Sequence, residues 1–405
     1  MITEIWNLDK NEVKNMHNPC RVNMIASNFF GPGAIELLPE EIRKEGFKKA
    51  LVITDSFLFE SKVADQICTV LERAGVHSFI YYGVKPNPTV EIVNEALSVA
   101  RDIKPDFIVA LGGGSAIDTS KAVGIVLANG GPVQAYEGVN KSCKKSLPVV
   151  AINTTAGTGS EVTTFYVITD ENRHSKMVMV DTNCAVWIAV NDTNLMLSMP
   201  KSLTAATGMD AMTHAIEAVL SKEATPFTDK DALWAISAIK EYLPRATKNP
   251  DDMQAREMMA YAQYSAGLAF SNSGLGMVHA MAHSLGGFYN LAHGVCNAVL
   301  LPHVMEFNSK DPKVQQNFKK IYKALELKGV SMHIPYRAVT ESIREIKKLS
   351  QEVGIPKDLS ELEVREEDFD SLAKLAMQDT CMPSNPVQPT LDQIKEVYAK
   401  AWKKS

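Results

Sequence analysis

Short apolar runs alternate with stretches of helical period from Lys49 to Val190, and after Pro200 the short runs stop. Residues 49–55, 77–82, 106–111, 147–152 and 185–190 read as strands, the first of them buried and ending in Asp55. Helices fall between them: one reaching Arg73 and stopped by Gly75, one capped by Thr89 with Val90, Val93, Ala96, Leu97 and Ala100 at helical spacing, and one running through Asp118 and Val123 to Asn129. Strands that alternate with helices build a doubly wound, mostly parallel, Rossmann-like sheet. Upstream, residues 1 to about 22 read as a surface extension or edge element, Phe29-Phe30-Gly-Pro-Gly33 as a turn, and 35–44 as a helix. Residues 164–169 and 176–182 read as a hairpin around Asp170-Glu-Asn-Arg-His174. Helical periods alone remain at 205–220, 232–243, 253–268 and 391–403. The expected architecture is an α/β domain over 1–197 followed by an all-α domain over 198–405.

The third strand runs into Gly112-Gly-Gly-Ser115 and a helix. Glycines there let the backbone approach an anion, and the helix N-terminus offers amide donors and a positive dipole, which suits a diphosphate. It departs from the common dinucleotide fingerprint: Ile117 stands where a third glycine belongs, and Asp55 precedes the glycines instead of following them. The fourth strand delivers Asn153-Thr-Thr-Ala-Gly-Thr-Gly-Ser-Glu161, a loop dense in hydroxyls fit for a second phosphate or ribose contact.

In the helical half, three of the nine histidines, His279, His283 and His293, lie within residues 276–294. His279 and His283 share a helix face, and Gly286-Gly287 lets His293 fold back toward it. A single histidine in an apolar helix is ordinarily a hydrogen-bonded core residue. Three among small residues each need a polar partner, which one metal or substrate supplies together. Asp210 and His214, again four apart, complete an N/O set suited to a divalent first-row ion with an open position. Spacing alone leaves His283 open as a further ligand, and Cys296, three residues after His293, is either a weak ligand candidate or a small buried hydrophobe.

Composition removes other classes. A net charge of −5 with no basic stripe argues against nucleic acid. No run approaches the roughly 18 apolar residues that span a bilayer, and the first ten residues mix charges, so no membrane partner and a cytoplasmic location are expected. Six cysteines without CxxC spacing fit reduced thiols.

Taken in order, Asp55, Asn87, Gly-Gly-Gly-Ser, Thr-Thr-Ala-Gly-Thr-Gly-Ser-Glu, Gly-Met-Asp-Ala-Met-Thr-His-Ala-Ile-Glu and Val-His-Ala-Met-Ala-His-Ser-Leu-Gly-Gly-Phe-Tyr-Asn-Leu-Ala-His-Gly closely resemble the iron-dependent (group III) alcohol dehydrogenases, the family of lactaldehyde reductase, 1,3-propanediol dehydrogenase and NAD-dependent methanol dehydrogenase, from about residue 25 to the C-terminus. The resemblance implies a dehydroquinate synthase-like two-domain fold with Asp210, His214, His279 and His293 as metal ligands and His283 beside the nicotinamide and substrate. It implies NAD on Asp55, Asn87, Gly113, Gly114, Ser115, Thr154, Thr155, Thr158 and Lys176, the Asp55 charge disfavouring NADP. Asp118 and Lys121 match positions tied to cofactor binding, although i,i+3 spacing equally describes a surface ion pair. Phe165, Phe270 and Cys381 match substrate-pocket positions. Ser284 departs from the proline common in close relatives, which puts the presentation of His283 in question.

The implied chemistry is reversible hydride transfer between a short primary alcohol, or a diol, and NAD. The implied metal is Fe2+ first, with Zn2+ or another first-row ion as the alternative, in a homodimer or larger homo-oligomer. Two other classes remain: a dehydroquinate synthase-like lyase, which needs a basic cluster for an acidic substrate, and a non-catalytic nucleotide- and metal-binding or filament-forming protein.

Overall fold

The computed structural model describes residues 20–328 and 335–402, so the extension expected over 1–22 lies almost wholly outside the described residues. Six parallel strands, β1 (Ser27–Phe30), β2 (Lys49–Asp55), β3 (His77–Val84), β4 (Phe107–Gly112), β6 (Val149–Asn153) and β9 (Ile188–Asn191), form one sheet in the order β1-β9-β6-β4-β2-β3. A second sheet pairs β7 (Phe165–Asp170) antiparallel with β8 (Ser175–Val180) and adds the two-residue β5 (Gly138–Val139) parallel to β8. The hairpin is therefore present but stands apart from the main sheet.

Both faces of the main sheet are covered. Leu51, Ile53, Ile108, Ala110, Val149 and Ala151 enter one core, while Ala50, Val52, Phe107, Val109, Val150 and Ile152 enter another. Successive side chains point to opposite faces, so a strand buried on both sides reads as a continuous apolar run. Helices α1 (Leu38–Glu45), α2 (Ser56–Glu60), α3 (Val63–Glu72), α4 (Val90–Ile103) and α5 (Gly114–Asn129) complete this half.

Three expectations are corrected. Phe29 and Phe30 belong to the edge strand β1, paired with β9, because the turn begins only at Gly31. The helix expected to reach Arg73 is two helices, broken where Lys62 takes a left-handed φ of 66°. The helix expected over 35–44 opens as a 3-10 turn, Ala34–Leu37, before Pro39 starts α1.

Past Pro200 every regular element among the described residues is helical: α6 (Lys201–Leu220), α7 (Pro226–Lys248), α8 (Met253–Ser273), α9 (Met277–Tyr289), α10 (His293–Asn308), α11 (Pro312–Ala324), α12 (Pro335–Glu352), α13 (Phe369–Gln378) and α14 (Leu391–Trp402), with short 3-10 turns between. Sixteen of the twenty residues of α6 are buried, and α6, α8, α9 and α10 share one core.

Strand order fixes where a ligand binds. From β2 the chain moves outward to β3, then crosses back to β4 on the other side of β2. The ends of β2 and β4, Asp55 and Gly112, therefore flank a topological switch point, where open α/β sheets hold their ligands.

Candidate active site

A cleft of about 140 Å³ runs from the N-terminus of α5 to the histidines of α9 and α10. One end of it is shaped by glycines. Cβ atoms added at Gly113 and Gly114 would stand 2.7 Å from Thr155 Cγ2 and 2.8 Å from Thr158 Cγ2, so any other residue there would push these threonines aside. The close approach stacks the hydroxyl-rich loop on the first turn of α5. Thr154 ties the two strands by donating its N–H to the Gly112 carbonyl at 3.1 Å. Asp55 caps α2 through Oδ1, which accepts from Leu58 N at 2.9 Å. At the cleft wall, Lys176 donates to Asn87 Oδ1 at 2.8 Å and Asn87 donates to Asn290 Oδ1 at 2.7 Å, joining the α/β half to the end of α9.

At the other end, Asp210 Oδ1 lies 3.6 Å from His293 Nε2, 3.8 Å from His279 Nε2 and 3.9 Å from His214 Nε2. Three helices, α6, α9 and α10, supply these four side chains. Burial lowers the pKa of His214 to about 4 and of His279 to about 3, and pushes that of His293 well below its ordinary value. The rings are neutral near pH 7 and carry lone pairs, the state that metal ligation requires. Among the described residues the side-chain donor facing Asp210, His279 and His293 is Asn297 Nδ2, at 2.7 Å from Asp210 Oδ1, 3.0 Å from His279 Nε2 and 3.1 Å from His293 Nε2. Two N–H groups cannot serve three acceptors, and Asn297 Oδ1 is buried without a partner. Asp210, His279 and His293 present ligand atoms within 4.8 Å of one another, with His214 Nε2 3.9 Å from Asp210 Oδ1, and a cation among them resolves that excess of lone pairs, so the residues fit a divalent ion.

Two family models match the chain, iron-containing alcohol dehydrogenase over residues 26–193 and the C-terminal Fe-containing alcohol dehydrogenase family over residues 204–402. The chain is 45% identical to alcohol dehydrogenase 4 of Schizosaccharomyces pombe, covering 92% of this chain and 87% of that one. It is 42% identical to the NAD-dependent methanol dehydrogenase of Bacillus methanolicus, covering 93% and 100%. The chain belongs to the iron-containing alcohol dehydrogenase family. Among solved structures, a 1,3-propanediol oxidoreductase superposes with a TM-score of 0.91 at 40% identity, covering 95% of this chain and all of that one.

Within this family frame, the expected residues divide. Asn87, Gly114, Ser115, Asp118, Thr158 and Lys176 line the cleft with the four candidate ligands, His283, Phe165, Phe270 and Cys381. Phe270 stacks on His214 at 4.3 Å and meets Phe165 edge-on at 5.5 Å, an apolar wall beside the ligand cluster. Lys121 stands apart. It is fully buried, and its Nζ donates to the carbonyls of Ser160 (2.6 Å), Phe165 (2.7 Å) and Thr163 (2.9 Å), so it is neither a cleft residue nor half of a surface pair. Asp118 accepts from Ser160 Oγ at 2.5 Å and from Val167 N at 3.0 Å, fastening the same loop from the cleft side. Cys296 is wholly buried outside the cleft lining, and burial pushes its thiol up to about 12. Ser284 bonds back to the Ala280 carbonyl at 3.0 Å, and α9 continues through it to Tyr289.

Three contributors escaped the sequence reading. Glu217 stands 2.6 Å from His279 Nδ1, and Asp379 stands 2.9 Å from His283 Nδ1. Burial raises the Glu217 carboxyl to about 7; burial works the same way on Asp379, but the His283 ring beside it holds that carboxyl below its ordinary value. Asn297 is the third. Helical spacing could have found two of them: Glu217 is seven residues from Asp210, and Asn297 four from His293. Asp379, 96 residues from His283, carries no local signal.

Proposed function

We propose that this chain interconverts short primary alcohols and their aldehydes using NAD and one divalent metal, Fe2+ first among the candidates. The observation that carries the proposal is the convergence of Asp210 Oδ1 with three neutral Nε2 atoms at 3.6–3.9 Å. In this reading Asp210, His214, His279 and His293 hold the ion. When bound, such a cation acidifies an alcohol or polarises an aldehyde, and NAD accepts or returns the hydride.

The chain's own groups do the rest. Ser115 and the amides at the start of α5 hold the diphosphate, Thr158 and Thr155 bracket it, and Asp55 accepts from the adenosine ribose while repelling a 2′-phosphate. Asn87 and Lys176 line the nicotinamide end. Phe165 and Phe270 keep water from the transferring carbon and offer no partner to a second hydroxyl, which favours simple alcohols over diols. Cys381 closes the pocket. His283, with Nδ1 held by Asp379, turns Nε2 toward the cleft and passes the hydroxyl proton outward.

The division at 197/198 falls in the segment between β9 and α6, which supports treating the halves as separate domains. The outer edge of β1 is unpaired among the described residues, which suits a homodimer or larger assembly. The described cysteines are all free, as in a reducing cytoplasm, and no described helix is long and apolar enough to cross a membrane. Against the lyase reading, Lys176 is the single Lys or Arg lining the cleft among the described residues.

The test is NADH formation at 340 nm over an alcohol panel, with protein purified anaerobically and analysed for metal. Turnover of ethanol, propanol or butanol with about one equivalent of metal is expected. Metal-replete protein that reduces no NAD with any alcohol contradicts the proposal.

A further inference from the structure

His279 needs one ring nitrogen bare if it is to face a cation, and an imidazole does not choose its tautomer unaided. Glu217, on α6 two turns beyond Asp210, meets that need from behind. Its side chain is 5% exposed, and its two oxygens face three donors. Oε1 accepts from Val278 N at 2.7 Å; Oε2 accepts from Gly276 N at 3.1 Å and lies 2.6 Å from His279 Nδ1. The two amides belong to the N-terminus of α9, whose N-cap Gly276 offers no side chain of its own. Both oxygens already accept amide hydrogens, so the face that Glu217 turns to the imidazole is an acceptor face; Nδ1 is the donor of the pair and Nε2 is left bare, 3.8 Å from Asp210 Oδ1. The chain is shaped for this approach: a Cβ on Gly276 would stand 2.9 Å from Glu217 Oε1.

We infer that Glu217 is a positioning residue of the metal site, fixing His279 as the Nδ1–H tautomer so that Nε2 stays available as a ligand. The inference rests on the metal reading above. A carboxylate behind a ligating imidazole sets its orientation and raises its basicity, and Glu217 performs a second task by tying the start of α9 to α6.

Glu217→Gln is the decisive variant because it keeps the shape and removes one acceptor. Whichever way the amide turns, its NH2 meets either His279 Nδ1, forcing the proton onto Nε2, or the Val278 N–H. Two readouts are needed. Co2+ affinity of the metal-free protein, followed by its visible spectrum and chelator competition, should fall roughly 10–100-fold. Long-range 15N–1H NMR of the metal-free protein should show His279 protonated at Nδ1 in the wild type and at Nε2 in a substantial fraction of Glu217→Gln. Asn385→Ala is the control. Asn385 Oδ1 accepts from Met277 N at 3.1 Å, so it anchors the same helix end without touching His279, and its loss should leave the tautomer and Co2+ affinity within about twofold of wild type. If Glu217→Gln fails to fold, Glu217→Asp takes its place, since the shorter side chain keeps the charge and withdraws from Nδ1.

An unchanged tautomer together with Co2+ affinity within twofold of wild type overturns the inference, and so does an equal loss of affinity in Asn385→Ala. If wild-type protein binds no Co2+, the metal reading fails first, and the NMR comparison still decides whether Glu217 sets the tautomer.

Discussion

Lys121→Met removes one ammonium and leaves an apolar stem of similar shape in place. In the folded chain Nζ donates to three carbonyls at 2.6, 2.7 and 2.9 Å, and a neutral amine has only two N–H groups, so the group is charged although burial lowers its pKa. The substitution strands three buried acceptors at about 1–3 kcal/mol each. Against that, no buried ammonium need be desolvated, which returns several kcal/mol. Asp118, buried beside it, also loses the cation that holds its carboxyl down, and breaking a buried pair from one side leaves a net loss of about 3–5 kcal/mol. Unfolding entropy of about 2.1 cal/mol/K per residue makes each kcal/mol worth about 1.2 °C in a chain of 405 residues, so Tm falls by roughly 4–6 °C. Ser160, Thr163 and Phe165, which the ammonium holds, also line the cleft, so NADH binding should weaken as well. Calorimetry and NADH fluorescence titration check both. A Tm within 2 °C of wild type with unaltered NADH affinity refutes the reasoning, because the loop would then be held by its backbone neighbours.

Asp55→Gly should raise NADP use relative to NAD; glycine at a helix N-cap costs only a few tenths of a kcal/mol, so an unchanged ratio of kcat/KM values removes the proposed role of the charge without a folding excuse. His283→Ala should retain its metal and lose turnover by about 10²–10⁴-fold, the range of a lost acid–base group; a wild-type rate excludes the relay. Phe165→Asn places a donor and an acceptor on the apolar wall, and the ratio of 1,2-propanediol to propanol activity should increase at least several-fold. A ratio that does not move means Phe165 does not face the substrate.

The order of elements was legible because the physics is local. Val52 and Ile53 face opposite cores, so the run 50–53 shows no alternation, and its length with flanking polar residues marks a strand. β5 was not legible, since two residues carry no period, and β1 was masked by its overlap with a turn signal. Among the candidate ligands the i,i+4 pairs were visible on single helices. Helices α6, α9 and α10 bury Ala211, Ala215, Ala280 and Ala298 in one core, and that assembly has no signature within any one helix. Lys121 shows the limit most clearly. Its i,i+3 relation to Asp118 was visible, but α5 is buried over most of its circumference, with Thr119 through Val126 all inside, so neither a surface pair nor a cofactor contact describes it. Asp379 depends on chain closure across α10 to α13 and could be found only in three dimensions.

Anomalous scattering at the iron edge, from crystals of anaerobically purified protein, tests the central claim most directly. One peak within about 2.0–2.3 Å of Asp210 Oδ1 and of Nε2 of His214, His279 and His293 is the expected result. A fully loaded crystal with its peak elsewhere, or bonded to fewer than three of those atoms, contradicts it.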